Sequence, residues 1–170
     1  MATVYWVTGL SGAGKTTIGK RLFRHLKNEY SNSIFFDGDE LRKTVASDLG
    51  YSEEDRRECA MRYAKLCKLL AEQDIHVVIC TISMFQNVRD WNRENITDYK
   101  EIYIRVPMEV LQKRDQKGLY SGNTLEKDTT VAGVHFEFEE PKNPDFIIDN
   151  PGDENPDEIA KRVWEEMAKP

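Results

Sequence analysis

Apolar positions along the chain fall into two alternating kinds of segment, short unbroken runs and longer interrupted ones. Val4-Tyr5-Trp6-Val7, Ser33-Ile34-Phe35-Phe36, His76-Val77-Val78-Ile79-Cys80-Thr81-Ile82, Lys100-Glu101-Ile102-Tyr103-Ile104-Arg105-Val106 and Asp145-Phe146-Ile147-Ile148-Asp149 are brief and rich in β-branched or aromatic residues. Such runs read as strands covered on both faces. The third is the most β-branched and therefore the candidate central strand, and Pro107 ends the fourth. Between these runs the apolar residues recur at helical steps. Ile18, Leu22, Phe23 and Leu26 mark one helix. Ala60, Tyr63, Ala64, Cys67, Leu70 and Ala71 form the inner stripe of a long one, opened by a capping pattern at Ser52 and Asp55 and running to about Glu72. A short helix beginning at Asp39 carries Leu41 and Arg42, and others are expected over 88–96 and 108–114. A closing helix over 156–167 turns Ile159, Val163, Trp164 and Met167 inward. Five strands alternating with helices predict one α/β domain over 1–170, with a central parallel five-stranded sheet between two helical layers and right-handed crossovers.

Where the first strand gives way to the first helix stands Gly9-Leu10-Ser11-Gly12-Ala13-Gly14-Lys15-Thr16-Thr17, which fits the phosphate-loop pattern G-x-x-x-x-G-K-[ST] at each fixed position. Gly9, Gly12 and Gly14 let the backbone curl until successive N–H groups point at anionic oxygens. Lys15 then offers a point charge to the β- and γ-phosphates, and the Thr16 hydroxyl is placed to ligate Mg²⁺. A glycine turn without a ligand would need no lysine here, and the strand-loop-helix setting adds the positive end of a helix dipole. Gly12, Ala13, Gly14, Lys15, Thr16 and Thr17 are thus expected to bind ATP. The fold expected is a three-layer P-loop kinase fold.

Charge changes the picture only in what it excludes. With 24 Lys and Arg against 30 Asp and Glu, the formal net charge of −6 disfavours a nucleic-acid polymer as partner. Small nucleotides need only a local basic site. No basic leader with a long apolar core stands at the N-terminus and no apolar stretch approaches 18 residues, so a membrane partner is not expected. Cys59, Cys67 and Cys80 lack C-x-x-C spacing, so reduced thiols in a cytoplasmic protein are the expectation. Cys67 and His76 read as structural.

Further chemistry clusters near strand ends. Asp37-Gly38-Asp39 follows the second strand, where carboxylates should point at the phosphate loop. Asp39 also fits a helix N-cap, which alone would account for an Asp there. Arg56 and Arg57 sit at the beginning of the long helix, the end least favourable for cations, so an anion facing them and plain solvation stand as alternatives. Residues 115–140 are polar and weakly periodic, which inside a compact domain suggests a lid.

Taken together, Gly9–Thr17, Asp37-Gly38-Asp39-x-Leu41-Arg42, Gly50-Tyr51-Ser52-x-x-Asp55-Arg56-Arg57-Glu58, Ile82-Ser83 and Arg114-Asp115-x-Lys117-Gly118-Leu119-Tyr120 resemble the adenylylsulfate (APS) kinase family over nearly the whole chain. The resemblance implies transfer of the γ-phosphate of MgATP to the 3′-hydroxyl of a nucleotide. It makes Asp39 the base and, with Thr16, a magnesium-linked group, and it places Lys15 and Lys117 among the catalytic residues. Arg42, Tyr51, Arg56, Cys59, Ile82, Ser83, Lys117 and Val131 fall where the family contacts its acceptor, together with Asp39. Arg114 and the lid would close over ATP and exclude water. Ser83 also matches a serine described as a phosphoenzyme intermediate, a role that direct in-line transfer does not need. Oligomeric state is left open, a homodimer included.

Three positions depart from the family. Cys59 replaces an Asn and Val131 a Phe, the groups that hold the adenine by hydrogen bonding and stacking, and Ser83-Met84 replaces Ser-Pro. Losing both base-reading groups while keeping the phosphate-handling ones implies a different acceptor, and capsule-pathway relatives that phosphorylate cytidine diphosphoramidate fit such a pattern. A true APS kinase is the alternative. A regulatory module that merely holds ATP would not need Asp39, Arg56 and Lys117, and a gluconate- or shikimate-type kinase would not be expected to carry the 114–120 motif.

Overall fold

The computed structural model describes residues 1–115, 118, 120 and 137–167. Five parallel strands, β1 (Val4–Thr8), β2 (Ser33–Asp37), β3 (His76–Thr81), β4 (Tyr99–Arg105) and β5 (Phe146–Asp149), form one sheet in the order β2-β3-β1-β4-β5. The helices are α1 (Lys15–Glu29), α2 (Gly38–Val45), α3 (Glu53–Glu72), α4 (Gln86–Asn95), α5 (Met108–Arg114) and α6 (Pro156–Met167). None of them is long and apolar enough to cross a membrane.

Alternation along the strands divides the core into two layers. Tyr5, Val7, Val78 and Cys80 face one side, where Ile18, Leu22 and Leu26 of α1 and Ile159 and Val163 of α6 cover them. Val4, Trp6, Val77 and Ile79 face the other, under Ala60, Tyr63, Ala64 and Cys67 of α3 and Val88 of α4. With both faces covered, β1 and β3 have no exposed residue, which is why their sequences read as unbroken apolar runs. β1 lies between β3 and β4, so the chain leaves its C-terminal end at the point where the strand order reverses and a crevice opens.

Most element limits agree with the sequence reading, and the differences have physical causes. β3 stops at Thr81 because the Ile82 carbonyl turns to accept the Thr8 hydroxyl at 2.5 Å and Ser83 takes a positive φ of 30°. Helix α4 starts at Gln86, two residues ahead of the expectation, because the Glu139 carboxylate accepts the Gln86 amide at 3.2 Å. That cap comes from 53 residues away. Asp37 rather than Asp39 caps α2, its Oδ1 accepting the Asp39 amide at 3.0 Å. The Ser52 hydroxyl caps α3 through the Asp55 amide, as expected. Of the expected lid, residues 116, 117, 119 and 121–136 lie outside the described residues, and Glu137–Glu140 form neither helix nor strand.

Candidate active site

The phosphate loop connects β1 to α1. Its glycines are dictated by backbone geometry at two places. Gly14 has φ +96°, and a Cβ there would lie 2.8 Å from Asn150 Nδ2. A Cβ on Gly9 would approach the Ile104 carbonyl oxygen to 2.6 Å, so the loop could not lie against β4. Helix α1 begins on left-handed Gly14 with no side-chain cap and no acidic residue in its first turn. Its leading N–H groups are therefore available to an anion. The loop's carbonyls are otherwise engaged. Tyr120 Oη donates to the Ser11 carbonyl at 2.7 Å, Arg114 Nη1 to that of Gly12 at 3.0 Å and Asn150 Nδ2 to that of Ala13 at 2.9 Å. Lys15 Nζ donates to the Leu10 carbonyl at 2.8 Å.

A cavity of about 260 Å³ opens beside the loop. One wall is Gly12, Gly14, Lys15, Thr16 and Thr17, with the carboxylates of Asp37 and Asp39 next to it. Thr16 Oγ1 donates to Asp37 Oδ2 at 2.7 Å. Hydroxyl and carboxylate oxygens are hard donors of the kind magnesium prefers, and its sites usually combine one or two carboxylates with phosphate oxygens. Among the described residues no three His, Cys, Asp or Glu side chains converge, which suits that shared kind of site. Asp37 thus joins Thr16 and Asp39 as a metal-competent group. The sequence reading directed both carboxylates of Asp37-Gly38-Asp39 at the loop but named only Thr16 and Asp39 for the metal.

The opposite wall is basic. The Arg42 and Arg56 guanidinium carbons lie 4.5 and 5.4 Å from the Tyr51 ring centroid, so the ring contacts two cations. Arg42 is fixed by the Leu49 carbonyl at 3.2 Å and the Gly50 carbonyl, and Arg56 Nε by the Tyr51 carbonyl at 3.1 Å. Burial, and then the neighbouring Arg42, hold the Arg56 guanidinium below its usual range. Two half-buried cations beside one ring give this wall a positive potential suited to an anionic group. Arg57, expected to act with Arg56, instead pairs with Glu53 at 2.8 Å, donates to Asn87 at 2.8 Å and covers the Phe85 ring. It ties α3 to α4.

Cys59, Ala60, Tyr63, Ile82, Ser83, Met84 and Phe85 close the rest of the cavity. Cys59 and Ser83 are buried and Ile82 is half-buried. The Ser83 hydroxyl lies 2.8 Å from that of Thr81, and its positive φ is a strained conformation for a residue with a Cβ. Arg89, fully buried, donates through Nη1 to the Ser83 carbonyl at 3.4 Å and through Nη2 to Gln86 Oε1 at 2.8 Å and the Glu139 carbonyl at 2.6 Å. Glu101, also buried, sits 3.8 Å from Arg89 Nε. Burial pulls Arg89 down and pushes Glu101 up, and their mutual attraction opposes both shifts. The loop that carries Ser83 is therefore held by a buried ion pair that no local pattern announced. Tyr63, Met84, Phe85 and Asn150 are further neighbours of the site which sequence reasoning left in the core or did not assign. Lys117 and Val131 lie outside the described residues.

The arrangement can seat a phosphate chain at the loop, hold a metal beside it and bind a second anionic molecule against the arginines. Comparison with known proteins agrees. The family model described as Adenylylsulphate kinase matches residues 1–149. The cytidine diphosphoramidate kinase of Campylobacter jejuni subsp. jejuni serotype O:2 is 40% identical over 165 residues, 97% of this chain and 96% of that protein. The adenylyl-sulfate kinase of Pseudomonas aeruginosa is 38% identical over 162 residues, 94% of this chain and 82% of the relative. The structure of the Mycobacterium tuberculosis APS kinase CysC in complex with AMPPNP and APS superposes with a TM-score of 0.86 at 31% identity, covering 99% and 98% of the two chains. Shikimate kinase from Aquifex aeolicus, at 17% identity and a TM-score of 0.57, shares the fold alone. With its phosphate loop, its paired acids and its basic wall in one crevice, the chain belongs to the adenylylsulphate kinase family of P-loop nucleotide kinases.

Proposed function

We propose that this kinase transfers the γ-phosphoryl group of MgATP to the 3′-hydroxyl of a small nucleotide other than adenylylsulfate, and that its acceptor is a cytidine nucleotide with a modified diphosphate tail, cytidine diphosphoramidate being the best fit. Lys15 and the first amides of α1 bind the β- and γ-phosphates, while Thr16, Asp37 and Asp39 are the residues that would hold a magnesium ion. That ion, when bound, offsets phosphate charge. Arg42 and Arg56 fix the acceptor's anionic tail and so orient its sugar. The acceptor oxygen attacks the γ-phosphorus, the bond to the bridging oxygen of ADP breaks, and the hydroxyl proton passes to Asp39. Lys117 supplies further positive charge, and Arg114, tied to the Gly12 and Asn150 carbonyls at 3.0 Å each, steadies the loop around ATP.

The observation that carries the choice of acceptor is Cys59. It is buried in the cavity wall one turn beyond Arg56, where the family carries an Asn, and its thiol offers a base only weak donor and acceptor character. Val131 removes the family's stacking ring as well. Stacking is worth roughly 1 to 3 kcal/mol and a hydrogen bond roughly 1 kcal/mol. APS should accordingly bind about 10- to 10³-fold more weakly than in a member with both groups. The Campylobacter jejuni relative, whose name states cytidine diphosphoramidate as its substrate, supports the same reading.

The test is a coupled ADP-release assay with a panel of adenosine and cytidine nucleotides. Cytidine diphosphoramidate should support turnover and APS should do so poorly. The double substitution Cys59→Asn with Val131→Phe should restore APS use and penalise the cytidine acceptor, with coupling between the sites because both would grip one base. Efficient APS phosphorylation by the wild-type protein, with cytidine nucleotides ignored, would leave it a plain APS kinase.

A further inference from the structure

Tyr63 belongs by spacing to the inner stripe of α3, yet its hydroxyl does not merely pack. It is buried, it lines the cavity, and it donates to the Gly38 carbonyl at 2.8 Å across 25 residues of sequence. Gly38 is the peptide between the two acids. The turn has no slack on its other side, where a Cβ on Gly38 would come within 2.8 Å of the Cys80 carbonyl oxygen and 3.2 Å of Thr81 Cβ. Asp37 is committed twice, to the Asp39 amide and to the Thr16 hydroxyl. The Tyr63 hydroxyl thus clamps, from the acceptor side, a turn that β3 backs from behind. One helical turn before it stands Cys59, whose thiol contacts the same hydroxyl, and the charges of Arg42 and Asp39 both reach it. Burial and the Cys59 contact push the phenol up from its ordinary range, so it stays a donor throughout the working pH range.

We infer that Tyr63 is a positioning residue that couples the acceptor wall of α3 to the Asp37-Gly38-Asp39 turn, so that whatever occupies the Cys59 side of the cavity sets the aim of the carboxylates. The inference rests on the reading that Asp39 serves transfer, and it holds for any acceptor nucleotide. A tyrosine that only filled space would be replaced by phenylalanine at little cost to function. A tyrosine that aims the acids would not, because the Gly38 carbonyl, in the first turn of α2, would lose its tie to α3 and a small shift there misplaces a carboxylate.

The test uses Tyr63→Phe in the full chain with two readouts. Calorimetry compares binding of ATP with magnesium and with EDTA. The magnesium-dependent gain in affinity should fall about three- to tenfold, the effect of losing one hydrogen bond, while binding in EDTA stays at the wild-type value. Steady-state kinetics, run with whichever nucleotide the wild-type enzyme phosphorylates, should show kcat lowered by a similar factor, with the KM for MgATP raised by no more than the fall in its magnesium-dependent affinity. A Cys59→Ala change combined with Tyr63→Phe should cost less than the sum of the two, since both act through one hydroxyl. Equal magnesium-dependent gain and kcat within twofold of wild type would overturn the inference, as would a loss confined to Tm. Should Tyr63→Phe fail to fold, Tyr63→Met removes the hydroxyl with a smaller, adaptable side chain and is read by the same criteria. Wild-type protein that turns over no nucleotide at all would refute the proposed function, whereas the calorimetric comparison would still decide the role of Tyr63.

Discussion

Lys15→Ala should abolish phosphoryl transfer while leaving the protein folded. The ammonium is half-buried at the beginning of α1, where it donates to the Leu10 carbonyl. With ATP present that carbonyl is a poor competitor for two phosphates, and each charge-assisted contact is worth roughly 1.5 to 3 kcal/mol. Two such contacts, strengthened as negative charge develops on the transferred group, correspond to about 10² to 10⁴ in rate. ATP affinity should drop as well, because part of the contact exists before the reaction. The coupled ADP-release assay gives the rate, and calorimetry gives the affinity. Turnover within about tenfold of wild type would mean that the loop does not handle the phosphates as assigned.

Asp39→Asn should cut turnover by about 10² or more, the usual range for a general base, with ATP binding largely intact. The structure separates this role from a structural one more cleanly than sequence could. Asp39 is exposed and contributes its backbone amide to the cap, whereas the capping carboxylate belongs to Asp37. Asp39→Asn should therefore leave Tm nearly unchanged. Asp37→Ala, by contrast, loses a cap worth about 1 kcal/mol, equivalent to about 2 to 4 °C in a domain of this size, and also frees the Thr16 hydroxyl. Measuring Tm beside kcat for both variants distinguishes the roles. Unchanged turnover in Asp39→Asn would remove it from the reaction.

How much of this was legible in the sequence depends on whether the cause was local. Strands buried on both faces announce themselves as apolar runs, so β1 and β3 were found to within a residue. Helices α5 and α6 were placed residue for residue, because Pro107 and Pro156 mark their beginnings. The phosphate loop was legible because each of its residues answers to a single ligand. What stayed hidden depends on distant partners. Gln86 begins α4 because Glu139 caps it. Tyr63 carried the same signal as its core neighbours Ala60 and Ala64, and only the nearness of Gly38 in space sets it apart. The buried pairing of Arg89 with Glu101 likewise joins α4 to β4, and each residue alone looks like a surface charge. Asp37 and Asp39 were seen together, but which of them caps the helix is a matter of backbone direction, about which composition says nothing.

The anchoring of the phosphate loop has one more consequence. Three successive carbonyls, those of Ser11, Gly12 and Ala13, are occupied by donors from the 114–120 segment and from Asn150. A peptide group is reversible: rotated by half a turn, it shows oxygen where it had shown hydrogen, and the same loop would repel phosphate. The sign of the site is thus not a property of the glycine-rich string alone. It is imposed by remote residues acting as latches, and Arg114 fastens two places at once by also holding the Asn150 carbonyl. A chain in which those latches were cut would keep its strands, its helices and Lys15 yet hold phosphate less well, an electrostatic failure preceding any structural one.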